Sequence, residues 1–355
     1  MAKYRCVILG CGVRADWHAR AYSRIERGEL VACCDLVAER REQFAQEFGI
    51  TGYADALEMI QKEKPDLVHV VTPPTVRAEV MTMVSDEGVP ACIVEKPIAY
   101  QVKDWRASVE LEARSATKFG VNAQFRYHPV LNRCQEALRS GKLGKVLFLD
   151  SSAGSTICDQ GVHILDWAMS LNENSPVVRV FGEASGDKEM TGHQPSPDTT
   201  VGQLEFANGV YGLWNLGYTA PRVVGKLHFL DSSAVSIIPA QCRHCRVAAY
   251  AERGRTLFEE FGRWEIVSPD GVEQGYVADM EEWADGNHAA QANFTNAMFD
   301  WLEDDAKMPG TNLKRALQQW NVILGLYAST VYRRPIDIPF DPPDDLWESL
   351  NRVLA

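Results

Sequence analysis

Apolar runs broken by glycine or proline set the rhythm of the first third of the chain. Cys6 to Leu9, Leu30 to Cys34, Leu67 to Val71, Ala91 to Val94 and Phe119 to Ala123 read as strands, and most lack the polar alternation of a half-solvated sheet. Between them, Val37 to Phe48, Ala54 to Gln61, Val76 to Asp86 and Asp104 to Thr117 have helical periodicity, with Gly49 and Pro65 closing two of these helices. Strands alternating with helices predict an α/β domain built on a doubly wound parallel sheet, spanning residues 1–124.

From Val146 the pattern changes. Val146 to Ser152, Val177 to Ala184, Thr200 to Phe206, Val210 to Tyr218, Lys226 to Leu230, Ala234 to Ile238 and Arg246 to Ala251 read as strands with few helices between them. Asn208-Gly209 marks a hairpin turn. The expectation is an α+β C-terminal domain, residues 125–355, with a largely antiparallel open sheet. The boundary falls within Gln124 to Pro129, where Pro129 opens a helix, and that segment is expected to line an interdomain cleft. Ser185 to Asp198, rich in Gly, Ser, Pro and charge, reads as a mobile loop.

Composition narrows the function classes. A length of 355 residues exceeds what one core covers, and 46% hydrophobic content is ample for two. A net charge of −12 without a basic stripe argues against nucleic-acid or membrane partners. Residues Met1 to Arg5 lead straight into the first strand, and no later run is long enough to span a membrane, so a cytoplasmic location is expected. Nine cysteines, several inside apolar strands, read as reduced thiols. Cys242-Arg243-His244-Cys245 lacks the second pair that zinc requires, and no metal site is expected.

The chemistry sits at the strand ends. Gly10-Cys11-Gly12-Val13-Arg14-Ala15 follows the first strand in a G-x-G-x-x-A pattern, which predicts a dinucleotide-binding Rossmann domain. Gly10 permits the tight turn, Gly12 clears space for a pyrophosphate at the helix N-terminus, and Ala15 allows close packing. Val13 and Arg14 lie in the same grip. Asp35 ends the second strand, where a carboxylate accepts from a ribose diol and repels a 2′-phosphate. No Arg follows before Arg40 and Arg41, so NAD is favoured over NADP. Asp35 also suits a helix N-cap.

Thr72-Pro73-Pro74 stiffens a loop facing the cofactor crevice, and Glu95-Lys96-Pro97 puts charge at the end of a central strand. Lys96 reads as a cation stabilising an alkoxide, or as a loop lysine paired with Glu95. Arg126 reads equally as a substrate contact or an interdomain salt bridge. In Asp159-Gln160-Gly161-Val162-His163, a helix would put Asp159 and His163 on one face, with Asp166 three residues on. They form either an acid–base pair or an N-capping Asp159 above a core histidine. Trp214, Asn215 and Tyr218 are candidates to face a ligand, Trp214 more readily as core.

These motifs, in this order and spacing, resemble the glucose-fructose oxidoreductase, inositol dehydrogenase and rhizopine-catabolism (Gfo/Idh/MocA) family. The likeness includes a late helical return, Ala289 to Leu302 and Asn312 to Tyr332. It implies that Lys96 assists at the reacting oxygen and that His163 is the base, beside Asp159. It also implies NAD-dependent oxidation of a secondary alcohol on a sugar, cyclitol or polyol, and a homodimer or homotetramer covering the open sheet. Two rivals follow: a family reaction that recycles NAD to cleave a glycosidic bond, and a non-catalytic dinucleotide-sensing regulator. The chain departs from the family at Arg77, where a histidine is frequent, and at Thr156-Ile157-Cys158, where a glycine pair is usual.

Overall fold

The computed structural model describes residues 3–191, 194–217, 220, 245–260, 263–276 and 280–355. In chain order, β1 (Tyr4–Leu9), α1 (Val13–Ala21), β2 (Gly28–Cys34), α2 (Ala38–Phe48), β3 (Thr51–Tyr53) and α3 (Ala56–Glu63) come first. Next are β4 (Leu67–Val70), α4 (Pro74–Asp86), β5 (Ala91–Glu95), α5 (Val102–Arg114) and β6 (Lys118–Asn122). The strands form one parallel sheet of order β3-β2-β1-β4-β5-β6. Chain direction reverses its winding between β1 and β4, the place where such sheets open a ligand crevice at their carboxyl ends. Strands β4 and β5 are buried along their whole length, which is why they read as unbroken apolar runs. His69 is the exception inside β4, and it is fully buried.

The second part begins with α6 (Pro129–Arg139), β7 (Val146–Ala153), α7 (Val162–Leu171), β8 (Val177–Ser185), β9 (Thr199–Phe206) and β10 (Tyr211–Gly217). It continues through β11 (Arg246–Ala251), β12 (Gly254–Glu259), β13 (Arg263–Ser268) and β14 (Gly271–Tyr276), then α8 (Met280–Glu303), α9 (Leu313–Tyr332), β15 (Ile336–Asp337) and α10 (Leu346–Leu354). Its sheet has the order β14-β13-β12-β11-β7-β10-β9-β8-β15, antiparallel except for the β7–β10 pair. The α+β expectation holds, with β12 to β14 extending the sheet beyond the strands foreseen. Tyr218, the segments Lys226 to Leu230 and Ala234 to Ile238 expected as strands, and Cys242 to His244 lie outside the described residues.

The chain forms two compact units, Met1–Tyr127 with Asn287–Leu317, and His128–Gly286 with Gln318–Ala355. The cut after Tyr127 falls inside the expected boundary segment, but 287–317 groups with the first unit rather than the second. Packing gives the reason. Phe294, Met298 and Phe299 share a core with Cys6, Leu67 and Ile93. A Cβ on Gly120 would lie 2.7 Å from Met298 Sδ, so this glycine lets α8 settle on the sheet. Val121 N donates to Thr311 O at 2.7 Å, and Gly120 bridges to Asn312. The described cysteines are buried and form no disulfide with one another. Among the described residues no helix is long and apolar enough to cross a membrane.

Candidate active site

Residues for the dinucleotide reading converge at the carboxyl edge of the first unit's sheet. Gly10 has φ +94°, and a Cβ there would lie 2.6 Å from the Val71 carbonyl oxygen, so the turn out of β1 requires glycine. A Cβ on Gly12 would meet nothing within 4 Å. Internal packing therefore places no demand on Gly12, and the open space in front of α1, whose first N–H groups have no intrahelical partner, fits a pyrophosphate. Ala15 is fully buried in the contact between α1 and the sheet, while Val13 is exposed beside the turn.

Asp35 is buried. Its Oδ2 accepts from Cys11 N at 2.9 Å and its Oδ1 from Val37 N at 2.8 Å, so it ties the glycine turn to the start of α2. The helix N-cap alternative does not hold: Val37 is the N-cap of α2, without a side-chain cap, and the bond from Val37 N to Asp35 is an Asx turn just ahead of it. Another expectation is corrected here: Arg40 Nη2 lies 3.3 Å from Asp35 Oδ1, because the first turn of α2 carries Arg40 back toward the strand end. A cation does stand beside this carboxylate.

Glu95 closes β5 as a buried carboxylate. Its Oε1 accepts from Asn122 Nδ2 at 2.7 Å, His18 Nε2 at 2.9 Å and Arg14 Nε at 3.2 Å. Burial alone would raise its pKa, but Arg14, His18 and Arg77 together pull it well below the usual carboxylate range. Sequence reading found Glu95 and Arg14 but missed His18, His69 and Asn122, whose sequence distance from Glu95 gave no local pattern. The one available signal was a histidine inside the apolar run Leu67-Val68-His69-Val70.

Arg77 also finds its place. Its Nε donates to Thr72 O at 3.0 Å and its Nη1 to Pro97 O, so it clamps the Thr72-Pro73-Pro74 loop to the segment that carries Lys96. Burial lowers Arg77 to about 10. Lys96 is half-buried just past β5. Arg126 is buried, with Nη1 donating to Gly310 O at 3.4 Å, and a Cβ on Gly310 would strike its guanidinium.

In the second unit the Asp159–His163 stretch differs from the single α-helix expected. Residues Ile157–Gly161 form a π-helical turn, and α7 starts only at Val162. Gly161 N and Gln160 N both donate to Thr156 O, which widens the turn. A Cβ on Gly161 would lie 2.8 Å from Leu216 Cδ1, so the wide turn depends on glycine. Asp159 thus lies in the π turn and His163 in the first α turn, not stacked one α-helical turn apart. Asp159 does not cap the helix; its Oδ2 accepts from Ser155 Oγ at 2.6 Å, and its Oδ1 from Gln160 Nε2 at 3.4 Å. His163 is buried, and Asp166 accepts from Gln319 Nε2 at 2.8 Å. Trp214 is fully buried on β10, a core residue.

Residues 4–123 match the model of an oxidoreductase family with an NAD-binding Rossmann fold, GFO_IDH_MocA. Over those residues, its N-terminal domain, the chain is similar to the Gfo/Idh/MocA family. It is 31% identical to a D-apiose dehydrogenase of Paraburkholderia graminis over 187 residues, 48% of this chain and 50% of that protein, so the match spans about half of the relative's length. It is 24% identical to the rhizopine catabolism protein MocA of Rhizobium meliloti, over 62% of this chain and 73% of that one. An oxidoreductase from Agrobacterium radiobacter, solved in complex with NAD+, L-tartaric acid and magnesium, superposes with a TM-score of 0.77 at 19% identity. That alignment covers 95% of this chain and 99% of the other, and establishes the shared fold.

Proposed function

We propose that the chain is an NAD-dependent dehydrogenase interconverting a secondary alcohol and a ketone on a sugar, cyclitol or polyol. One observation carries the reading. Lys96 follows β5 on the carboxyl edge shared with the Gly10–Gly12 turn and the Thr72–Pro73 loop, since Leu9, Val70 and Val94 are in register. Gly10, Gly12, Val13, Arg14 and Ala15 hold the pyrophosphate, Asp35 the ribose diol, and Thr72, Pro73 and Glu95 line the cofactor side. The nicotinamide, when bound, supplies the hydride acceptor. His163 takes the hydroxyl proton, Asp159 orients it, Lys96 stabilises the developing alkoxide, and Arg126 contacts substrate. The D-apiose and rhizopine relatives support a carbohydrate-like substrate, and the Asp35 carboxylate supports NAD over NADP.

A panel of polyols, inositols and aldoses with NAD, followed by NADH absorbance, tests this. At least one compound should drive NADH formation. Lys96→Met and His163→Ala should then lose about 10²- to 10⁴-fold in turnover while NAD affinity stays near wild type. Near-normal turnover in both variants rules out the assigned roles. NAD retained through purification, without net NADH, favours a recycled cofactor instead.

A second copy of the chain is proposed to cover the open sheet. Leu147, Phe181, Val201, Tyr211, Leu213 and Tyr250, on neighbouring strands β7 to β11, are each more than a third exposed. Light scattering at micromolar concentration should give a multiple of 39.6 kDa; a monomer defeats the proposal.

A further inference from the structure

Two thiols meet where the glycine turn folds back beside the end of β2, and the proposed chemistry uses neither. Cys11 stands between Gly10 and Gly12, and Cys33 lies on β2 two residues before Asp35. Ile8 pairs with Cys33 and Leu9 with Cys34 across the sheet, Gly10 N donates to Cys34 O at 2.8 Å, and Cys11 N donates to Asp35 Oδ2 at 2.9 Å. The turn is thus held against the last residues of β2. Cys11 and Cys33 share one core cluster with Ile8, Ala15, Ala19 and Phe44, and their thiols face each other in hydrogen-bond contact. Cys34, the next residue on the strand, points to the opposite face of the sheet.

Two properties set this pair apart from the other buried thiols. The first is charge. Cys33 accepts from the Cys11 S–H, a bond that lowers Cys33 and raises Cys11, so a thiolate formed by the pair is stabilised by its neighbour. Burial instead pushes Cys34 up to about 11 and raises Cys92 and Cys134. The second is access. Cys11, at 8%, is the most exposed of the described cysteines, and the space in front of its turn is open, since a Cβ on Gly12 would meet nothing within 4 Å. A small oxidant can therefore reach the pair through the turn.

We propose that Cys11 and Cys33 are a peroxide-sensitive thiol pair whose disulfide pulls the glycine turn out of shape and releases the cofactor. The inference rests on the reading of Gly10 to Ala15 as the cofactor grip. The pair first gives up one proton, and the thiolate attacks a peroxide oxygen. The O–O bond breaks, and the departing hydroxide takes up a proton and leaves as water. The second thiol then attacks the sulfenic sulfur, the S–O bond breaks, and a second water leaves as the S–S bond forms. Two thiols are oxidised while one peroxide is reduced to two waters. The bond draws the sulfurs from hydrogen-bond contact to about 2.05 Å, so one backbone has to yield. Strand β2 is held by β1 on one side and β3 on the other, whereas Cys11 is flanked by two glycines. The turn gives way, its amide leaves Asp35, and the N–H groups ahead of α1 lose their aim at a pyrophosphate.

The test needs no substrate. The full chain is treated with hydrogen peroxide, free thiols are blocked with N-ethylmaleimide, and a non-reducing digest is read by mass spectrometry, while quenching of tryptophan fluorescence follows NAD binding. A peptide linking Cys11 to Cys33 should appear, NAD affinity should fall by roughly tenfold or more, and dithiothreitol should reverse both. Bound NAD should slow the linkage by covering the turn. Cys33→Ala should bind NAD like wild type and keep that affinity under peroxide, whereas Cys34→Ala should stay sensitive. Absence of the linked peptide under conditions that oxidise the exposed Met308 overturns the proposal. So does a linkage that leaves NAD affinity unchanged, or a peroxide effect that persists in Cys33→Ala. Should Cys33→Ala fail to fold, the wild-type linkage and its reversal decide. Untreated protein that does not bind NAD defeats the cofactor reading and this proposal together, while failure to form NADH with any substrate touches the dehydrogenase reading alone.

Discussion

Replacing Asp35 with serine separates the structural role of this carboxylate from the role toward a ribose proposed for it. Asp35 accepts two backbone N–H bonds, from Cys11 at 2.9 Å and Val37 at 2.8 Å, at only 9% exposure. A serine hydroxyl is one atom shorter and reaches one of these donors at most. Hydrogen bonds to a charged acceptor contribute about 1.5–3 kcal/mol each, so the cofactor-free protein should lose about 2–4 kcal/mol of stability. Arg40 is 55% exposed, so loss of that ion pair adds little. The second role concerns the ribose. Losing a charged acceptor for the diol should weaken NAD binding by about 10- to 100-fold, while NADP gains because the opposing charge is gone and Arg40 is released. Thermal melting without cofactor reads the first role, and quenching of tryptophan fluorescence by NAD and NADP reads the second. Adding Arg40→Ala to Asp35→Ser should remove the NADP gain. An unchanged melting point refutes the structural part, and an unchanged NAD to NADP ratio refutes the cofactor part.

Two more outcomes follow from the geometry. Gly10→Ala combines a left-handed φ with a Cβ 2.6 Å from a carbonyl oxygen, so it should cost at least about 2 kcal/mol and weaken NAD binding more than tenfold. Melting and cofactor titration check it, and a wild-type result would contradict the turn described. Acid should destabilise the fold earlier than its carboxylates alone predict. Burial lowers His128 to about 4, and its Nδ1 accepts from Val130 N at the start of α6. The unfolded chain binds this proton first, so the stabilisation is complete above about pH 6.5 and declines toward pH 4, by about 3 kcal/mol in all. The lowered His18 and His69 act in the same direction. Urea midpoints between about pH 8 and pH 5 should fall accordingly, with a shallower fall in His128→Gln; a flat profile would refute it.

The legible parts of this sequence were those whose signal is local. Buried parallel strands declare themselves as apolar runs, so β1, β2, β4, β5 and β6 were readable, whereas β3 is three residues on an exposed edge. Strand β14 is exposed at nearly every position and offered no alternation to read. The spacing of Asp159 and His163 was visible, but residue spacing cannot distinguish a π turn from an α turn. That depended on Gly161 meeting Leu216, a contact made by a distant strand. Arg40 was seen and dismissed because distance along the chain stood in for distance around a helical turn. The buried hydrogen bonds that join Tyr22 to His69, His69 to His18 and His18 to Glu95 were invisible because each links residues 47 to 77 apart in sequence.

The first unit is made from two stretches of chain, with His128–Gly286 inserted between them. During synthesis its six strands all leave the ribosome before the helix that supplies Phe294, Met298 and Phe299. At about 5–20 residues per second, the gap lasts on the order of ten to thirty seconds. For that interval one face of the parallel sheet, around Cys6, Gly120 and Ile93, has no lid of its own. The nascent chain must be shielded there by the ribosome or a chaperone, or risk pairing with a neighbour. A dinucleotide-binding grip at residues 10–15 is thus among the first parts made and among the last to rest on a finished core.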